Sequence, residues 1–491
     1  MDYTIVIGLE VHVQLATESK MFSGCGTEFG LPPNTQTDPV SLGLPGTLPV
    51  MNAKAFELAL KTAVALGAEI ATFTKWDRKN YYYPDLPKNY QISQYDLPFS
   101  RHGWLEFPAQ KDGTEGGRCR LTRVHLEEDT GKLTHGGGGQ SEVDLNRAGI
   151  PLMEIVTEPD LRGPQDAKAC LEELRLTLRY LGVSDCEMQE GSLRCDANVN
   201  LHINKDGKIV ATPIVEIKNL NSFRSVERAL AYEAERQYAQ WREDGKTIAD
   251  APKQTRGWSD PEGVTKPQRT KETAADYRYF PEPDLVPVVV EDAWVERVRA
   301  SIGELPAQRR RRFETEYGLS AYDANVLVEQ GEDVADYFDA VARATGESKL
   351  ASNWIQQDVL RVAKERKISL ANFPVKAEAL ADLIHRVHKR ELNTNQGREV
   401  LAKMIDSGET ADAVIKAGGY GMVSDREALL AAVEAALAAN PKAVEDLKGG
   451  KKKPEAVKGF LRGQVMKQTG GKADPALVGE LLDAKLAALI S

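Results

Sequence analysis

The first fifteen residues contain a strict alternation of apolar and polar side chains. From Ile5 to Leu15 every odd position is apolar, which is the period of two that a β-strand requires. Glu10, His12 and Gln14 therefore share the other face of the predicted strand. A carboxylate beside an imidazole is typical of a metal or proton-transfer site, although a solvated outer face can carry the same residues. The strand by itself leaves both readings open.

The same kinds of pattern predict further elements in the first 290 residues. Alternation predicts a hairpin of strands 193–203 and 209–218 around a turn at 204–207. Helical periodicity, with Pro or Gly near the ends, predicts three helices: 53–66, 165–181 and about 226–241. Short antiparallel strands interrupted by helices indicate an α+β fold.

From about residue 294 the strand signals stop, and windows of helical period continue to the end of the chain. At 491 residues the chain is too long for a single core. We therefore predict a strand-rich antiparallel domain over 1–294, an all-α helical domain over 295–405, and a small all-α tail domain over 406–491.

Composition and charge restrict the possible classes of protein. The chain is 42% hydrophobic and 28% charged, and it has no run of eighteen apolar residues, which argues against a membrane span. Its N-terminus lacks the features of a secretory signal, and five dispersed cysteines do not form a disulfide framework, so a cytoplasmic location fits best. A net charge of −10 means that any contact with nucleic acid must be local.

Two more segments place acids on predicted strands. Residues 127–129 are three consecutive carboxylates at the end of one strand, and Glu154 lies within an apolar run over 149–158. A buried carboxylate is costly unless it is paired or bound to metal. An ion pair between Glu154 and Arg147, or another cation on a strand, would meet that need without any site.

The other solution is a shared cation. If Glu10, Glu128 and Glu154 converge, their mutual repulsion requires a divalent ion. Three carboxylates with the imidazole of His12 favour Mg²⁺ or Mn²⁺ over zinc. The sequence thus predicts a carboxylate-rich metal site.

Other segments have the composition of nucleic-acid contacts. The loops 77–91 and 276–283 interleave aromatic residues with cations, a combination that can stack a base and meet a phosphate but that also covers many sheets. The segment 441–472 holds nine lysines or arginines against three acids. That cluster indicates either an RNA contact or a solvated surface.

Motifs that the sequence lacks also narrow the chemistry. It has no Gly-x-x-x-x-Gly-Lys-Ser/Thr loop for nucleotide phosphates, no Gly-x-Ser-x-Gly elbow, and no Gly- and Ser-rich amidase nucleophile segment. If this protein is an enzyme that uses ammonia from an amide, another polypeptide must release that ammonia.

Several long blocks of the chain resemble, in order, the B subunits of tRNA-dependent amidotransferases (the GatB subunits of GatCAB complexes). The resemblance covers nearly the full length, and the helical end resembles a YqeY-type domain. It is carried by these blocks: 7–12, 77–96, 125–132, 144–160, 189–198, 216–222, 276–285 and 471–475.

The resemblance implies a cradle domain of glutamine-synthetase-like fold, followed by a helical domain and a tail that binds tRNA. It implies ATP-dependent amidation of misacylated Glu-tRNA(Gln) or Asp-tRNA(Asn) through an acyl phosphate, with ammonia supplied from glutamine by an A (amidase) subunit in a heterotrimer with a C subunit. By motif match, Mg²⁺ falls on Glu10, His12, Glu128 and Glu154. The first three of these are also the catalytic candidates, with His12 open to a role as metal ligand or as the base that handles ammonia. Lys79 and Lys88 are expected near the ATP phosphates.

One departure concerns zinc. Many relatives carry four cysteines at positions where this chain has Ser23, Cys25, Asp38 and Ser41. Structural zinc sites prefer thiolate and imidazole ligands, so we expect no bound zinc.

Two functions of other classes remain open beside the amidotransferase. The chain could be a non-catalytic scaffold that positions tRNA, which would tolerate loss of the carboxylates. It could also be a Mg²⁺-dependent phosphoester hydrolase, which would turn over without glutamine or partner subunits.

Overall fold

The structure is a computed structural model that describes residues 3–109, 116–136, 139–268, 277–421, 426–448, 454–470 and 473–490. The chain divides into two compact units, residues 1–309 and 310–491. The first contains the strands and the second is helical, so the fold is mixed α/β with a helical C-terminal region, as the sequence predicts.

In the described part of the chain, the strands all lie in the first unit. They are β1 Tyr3–Gln14, β2 Glu69–Ile70, β3 Phe73–Thr74, β4 Asp77–Asn80, β5 Tyr90–Ser93, β6 Ser100–Arg101, β7 Trp104–Phe107, β8 Gly117–Glu128, β9 Lys132–His135, β10 Ser141–Asp144, β11 Pro151–Thr157, β12 Leu193–Lys205, β13 Lys208–Ala211, β14 Val215–Leu220, β15 Gln254–Ser259, β16 Val264–Pro267, β17 Arg278–Pro281 and β18 Val288–Val289.

The helices occur in both units. They are α1 Pro39–Leu42, α2 Ala53–Ala65, α3 Pro164–Tyr180, α4 Phe223–Asp244, α5 Asp292–Ala300, α6 Pro306–Tyr317, α7 Ala321–Glu329, α8 Glu332–Thr345, α9 Ser348–Trp354, α10 Leu360–Arg366, α11 Ala377–His388, α12 Thr394–Ser407, α13 Ala411–Gly418, α14 Arg426–Ala439, α15 Pro441–Lys448, α16 Pro454–Gln468 and α17 Pro475–Ile490.

The three helices predicted from periodicity are present as α2, α3 and α4, and the first strand is present as β1. The hairpin prediction is correct for its first strand and its turn. Its return strand is divided into β13 and β14, and Pro213 lies between them. Proline has no N–H to donate to a neighbouring strand, so the ladder is interrupted there.

The largest sheet has eleven strands in the described part of the chain, and β1 lies near its middle. Its main path runs β16-β15-β14-β12-β1-β11-β8-β6-β2, with β13 and β7 added beside β12 and β8. The pairings of β1 with β12 and β11, and of β11 with β8, are antiparallel. This arrangement brings side chains from four consecutive strands of the sheet onto one surface.

The side chains on one face of this sheet form part of the hydrophobic core of the first unit. Ile7, Leu9, Val11 and Val13 of β1 are almost fully buried, in a cluster that includes side chains of α2, α3 and α4. The burial confirms the apolar face that alternation predicts for β1. The opposite face carries Glu10, His12 and Gln14, and we call it the polar face of the sheet.

The second unit is all helical over its described residues. Within it, α14, α16 and α17 enclose their own buried cluster, formed by residues such as Leu429, Leu461 and Leu482. Across the described ranges, no helix combines enough length with enough apolar character to cross a membrane.

Candidate functional site

The polar face of the sheet carries a row of ionisable side chains from four neighbouring strands. His12 of β1 lies opposite Arg194 of β12 on one side and opposite Glu154 of β11 on the other. Glu154 in turn lies opposite His125 of β8. Directly opposite residues point to the same face, so the register alone brings these four side chains together.

Three side chains on the polar face converge closely enough to hold a metal ion. Two belong to this row, and the third lies two residues after His125 on β8. His12, Glu127 and Glu154 each offer a ligand atom, and these atoms lie within 4.8 Å of one another. His12 Nε2 is 3.9 Å from Glu127 Oε1 and 3.7 Å from Glu154 Oε2. The His12 side chain is 22% exposed, whereas those of Glu127 and Glu154 are 4% and 12% exposed. The cluster is therefore accessible mainly through His12.

His125 contacts the carboxylate of Glu154. Its Nε2 lies 3.2 Å from Glu154 Oε2, and its Nδ1 accepts a hydrogen bond of 3.3 Å from Arg123 Nε. Since Nδ1 accepts, Nε2 carries the proton and donates to the carboxylate. Burial by itself would raise the pKa of Glu154, but His125, His12 and Lys79 outweigh it and hold that pKa well below its usual range. Glu154 is thus a charged carboxylate, as a metal ligand must be.

Lys79, on β4, belongs to the same electrostatic group. Burial would lower the pKa of Lys79, but Glu127 and Glu154 outweigh the effect of burial and raise it, so the ammonium stays charged. Its Nζ also lies 5.1 Å from the ring centre of Tyr277. Of the two lysines expected near phosphates, Lys79 is the one that the structure brings to the cluster.

Glu128, predicted to join the cluster, lies on the other face of β8. Consecutive strand residues point to opposite sides, and the register that places His125 beside Glu154 also turns Glu127 toward the cluster. Glu128 instead forms an ion pair with Lys88 and accepts a hydrogen bond from Ile92 N at 2.9 Å. The structure does not bring Glu128 or Lys88 to His12, and their predicted roles stay predictions.

Glu10 lies on the polar face but has its own partner. Its Oε1 accepts a hydrogen bond of 2.8 Å from Asn198 Nδ2. Its neighbour across the strand pair is Asp196, which forms an ion pair with Lys218. Among the described residues the metal-capable group contains three members, and Glu10 is not one of them.

Gln14, for which the sequence suggested no role, pairs with a carboxylate outside the predicted site. Gln14 Nε2 and Arg194 Nη2 both donate to Asp129 Oδ2, at 2.8 and 2.7 Å. Burial would raise the pKa of Asp129, but Arg194, Arg147 and Gln14 lower it, so the buried carboxyl remains charged. The run of three acids in the sequence was the only available signal for Asp129, because its partners come from distant segments.

The alternative in which Glu154 pairs with Arg147 or another strand cation is wrong for Arg147, whereas Lys79 of β4 is a strand cation that lowers the pKa of Glu154. Arg147 donates to the backbone carbonyls of Thr130 and Gly131, at 2.9 and 2.7 Å, and its Nε lies 3.7 Å from Asp129 Oδ2. Arg147 therefore stabilises the turn after β8. The partners of Glu154 are the two histidines and Lys79.

Hydrogen bonds stabilise the segment from Ser23 to Ser41, here called the 23–41 loop. Asp38 accepts from the backbone N–H groups of Val40 and Ser41, at 2.9 and 3.1 Å, and so caps α1. The fully buried Lys20 donates to the carbonyl of Gln36 at 2.7 Å. These contacts occupy Asp38, one of the four positions at which the family resemblance raised the question of zinc.

The two aromatic and cationic loops meet in a small sheet of order β17-β4-β5. The rings of Tyr95 and Tyr279 are stacked with centroids 4.0 Å apart, while Arg78 is paired with Glu282. Tyr82 is 74% exposed. The lysines at 451–453 and residue 276, where the second aromatic loop starts, fall outside the described residues.

The donor set of the cluster fits a hard divalent cation. Two carboxylates and one imidazole leave room for water and phosphate oxygens, as Mg²⁺ or Mn²⁺ sites commonly do, and the metal-capable group contains no thiolate among the described residues. The nearby Lys79 and Arg194 add positive charge. Together these groups suit the binding of phosphate beside a metal.

Comparisons with known proteins cover most of the chain. A family model described as the GatB/GatE catalytic domain matches residues 5–296, and one described as the GatB domain matches residues 336–486. The B subunit of the aspartyl/glutamyl-tRNA(Asn/Gln) amidotransferase of Rhodopirellula baltica is 52% identical over 482 residues, which are 98% of this chain and 96% of that protein. The protein of the same name from Moorella thermoacetica is 51% identical over 489 residues, 99% of this chain and 100% of its own length.

Proposed function

This chain belongs to the GatB family of tRNA-dependent amidotransferase subunits, and on that basis we propose the reaction that it carries out. It amidates the misattached amino acid of Glu-tRNA(Gln), Asp-tRNA(Asn) or both, as a glutamine-hydrolysing ligase. ATP phosphorylates the side-chain carboxylate, and ammonia then displaces phosphate to leave the amide.

The observation that carries this proposal is the His12, Glu127 and Glu154 cluster with Lys79 beside it. The chain has no Walker loop to hold ATP phosphates. A carboxylate-held Mg²⁺ with an adjacent ammonium is a different way to bind the same group. In this proposal Glu127 takes the place at which the motif match expected Glu128.

Each residue of the cluster has a proposed part. His12, Glu127 and Glu154 would hold Mg²⁺, which when bound neutralises charge on phosphoryl oxygens. His125 keeps Glu154 oriented and charged, and Lys79 contacts a phosphate oxygen. Because His12 serves as a ligand, Glu10 is the carboxylate that accepts the proton lost by ammonia, through its Oε2, while Asn198 holds Oε1.

The domain organisation is also a proposal. We propose that residues 1–294 form a cradle of glutamine-synthetase-like architecture, that 295–405 form a helical domain, and that 406–491 form a YqeY-like domain that binds tRNA. The separate buried cluster of α14, α16 and α17 supports an independent tail. The excess of lysine and arginine over 441–472 supports its contact with the tRNA backbone.

We propose that the chain works in a heterotrimer with an amidase (A) subunit and a C subunit. The support is chemical, since the sequence contains no amidase nucleophile segment and the reaction needs ammonia. The cytoplasm is the proposed location, because that is where misacylated tRNA is made and used.

The test is reconstitution of the chain with candidate A and C subunits. We expect amidation of at least one misacylated tRNA that requires ATP, Mg²⁺ and glutamine together. Glu154→Gln should abolish amidation while tRNA binding persists. Amidation that survives Glu154→Gln would indicate a scaffold, and phosphoester hydrolysis by the isolated chain would indicate a hydrolase.

A further inference from the structure

Arg194 is a second cation on the polar face, directly across from His12. The two residues are paired in the β1–β12 register, which places their Cβ atoms roughly 5 Å apart on the same side of the sheet. The Arg194 side chain is 33% exposed, so it is accessible to a ligand bound at His12. Nothing in the proposed function uses this guanidinium.

Most of the N–H groups of Arg194 have no acceptor among the described residues. Nη2 donates to Asp129 Oδ2 at 2.7 Å. Nε is shielded from solvent and has no acceptor within the described ranges, and Nη1 donates to none of the residues described. A buried donor without a partner destabilises the folded protein, so native structures rarely keep one unless a bound group supplies the acceptor.

A second such atom lies on the same face of the same strand. Asn198 Oδ1 is buried and also lacks a partner in the described part of the chain, while its Nδ2 holds Glu10. Arg194 and Asn198 are four residues apart on β12, opposite His12 and Gly8 of β1. Unsatisfied polar atoms therefore flank the strand position that carries Glu10 and His12, as expected beside a site that takes a polar ligand.

Asp129 holds the guanidinium in place. Its Oδ2 accepts from Gln14 Nε2 as well as from Arg194 Nη2, and it is nearly fully buried. Arg147 lies beside Asp129 too, but its Nε and Nη2 donate to the carbonyls of Thr130 and Gly131. Among the described residues, Arg194 thus uses one of its three nitrogens as a donor, on Asp129, whereas Arg147 uses two, both on backbone carbonyls.

We propose that Arg194 binds an oxygen of the phosphoryl group that passes from ATP to the substrate carboxylate. This inference rests on the proposed function. A carboxylate oxygen of the substrate forms a bond to the γ-phosphorus, the bond to the β,γ-bridging oxygen breaks, and ADP leaves with that electron pair. No proton moves in this step, and Arg194 stays charged while its N–H groups donate to the phosphoryl oxygens.

The test uses the reconstituted heterotrimer with ammonium chloride as the nitrogen donor, so that glutamine hydrolysis is bypassed. Two rates are measured: amidation, and ADP release that depends on misacylated tRNA. Arg194→Ala should lower kcat for both by about 10²-fold or more, the usual effect of removing a donor to developing charge. Added guanidinium ion at non-denaturing concentration should restore at least part of both rates, which a purely structural role would not allow.

Two further variants serve as a matched control and as a conservative substitution of Arg194. Arg147→Ala is the matched control, because it removes the other arginine beside Asp129, and it should stay within about threefold of wild type. Arg194→Lys keeps the charge and the ion pair but lacks the planar fork, so kcat/KM for ATP should fall about tenfold. If Arg194→Ala does not fold, this lysine variant decides the matter.

The outcomes separate the inference from the function on which it rests. A wild-type complex that shows no ATP-dependent amidation contradicts the proposed function. An active wild type with Arg194 variants inside threefold of it overturns the role of Arg194. An increase confined to the KM for misacylated tRNA overturns it as well, because the guanidinium would then bind the substrate carboxylate rather than the phosphoryl group.

Discussion

Glu127 and Glu128 are adjacent in sequence but should respond in opposite ways to the same substitution. Glu127→Gln removes a charge from the metal-capable cluster and keeps the shape of the side chain. A loss of about 3 kcal/mol of charge stabilisation corresponds to a fall of ~10²-fold in the rate of amidation. The fold should lose less stability than with Glu128→Gln, because Glu127 has no ion pair within 4 Å with a lysine or arginine in the described regions, and Glu154 remains as a counter-charge for Lys79.

Glu128→Gln acts on stability instead. It leaves Lys88 without its counter-charge, and both side chains are only 4% exposed. Breaking a buried pair in this way costs about 3–5 kcal/mol. With roughly 2.1 cal/mol/K of unfolding entropy per residue over the unit 1–309, this corresponds to a fall in Tm of about 5–8 °C.

The assay is a paired measurement on the two variants. Thermal unfolding is followed on the isolated chain, and ATP-dependent amidation is followed on the reconstituted complex below the melting temperature of both. We expect Glu127→Gln to be stable and inactive, and Glu128→Gln to be less stable and active. An inactive Glu128→Gln with a normal Tm, together with an active Glu127→Gln, would refute the placement of the two carboxylates on opposite faces.

Three further predictions concern the surroundings of the cluster. His125→Gln should raise the Mg²⁺ concentration for half-maximal amidation about tenfold, since it loosens Glu154, and an unchanged Mg²⁺ titration would contradict the supporting role. The pKa of Asp129 is lower in the folded state than in the unfolded chain. Its ion pairs therefore stabilise the folded state fully above about pH 4, and this stabilisation is lost as the pH falls further. Asp129→Asn should therefore lower the Tm at pH 7, and the two melting curves should converge below about pH 4; parallel curves down to low pH would exclude the ion pair as the cause. Elemental analysis of the purified chain should find no stoichiometric zinc, and one equivalent per chain would mean that the 23–41 loop binds metal after all.

Local patterns were sufficient for much of the fold. Alternation correctly assigned both faces of β1, since the pleat of a strand depends only on the backbone. Periodicity with flanking Pro and Gly located α2, α3 and α4 to within a few residues at each end. The exception was the return strand after β12, where Pro213 interrupts pairing.

The site was predictable only in part. The sequence pointed to Glu10, His12 and Glu154, and the structure places all three on one face of the sheet. It also offered three consecutive acids at 127–129 without any local reason to choose among them. The choice depends on which residue of β8 lies opposite Glu154, and that is a property of the register between two strands distant in sequence.

The sequence by itself determined the α+β character, the apolar face of β1 and the presence of a carboxylate-rich site, because these follow from backbone periodicity and from the cost of burying charge. Only the tertiary structure decided the membership of the site. It turned Glu127 toward His12 and Glu128 toward Lys88, brought Lys79 in from β4, and gave Gln14 a partner in Asp129. Each of these outcomes depends on long-range pairing, which no window of adjacent residues contains.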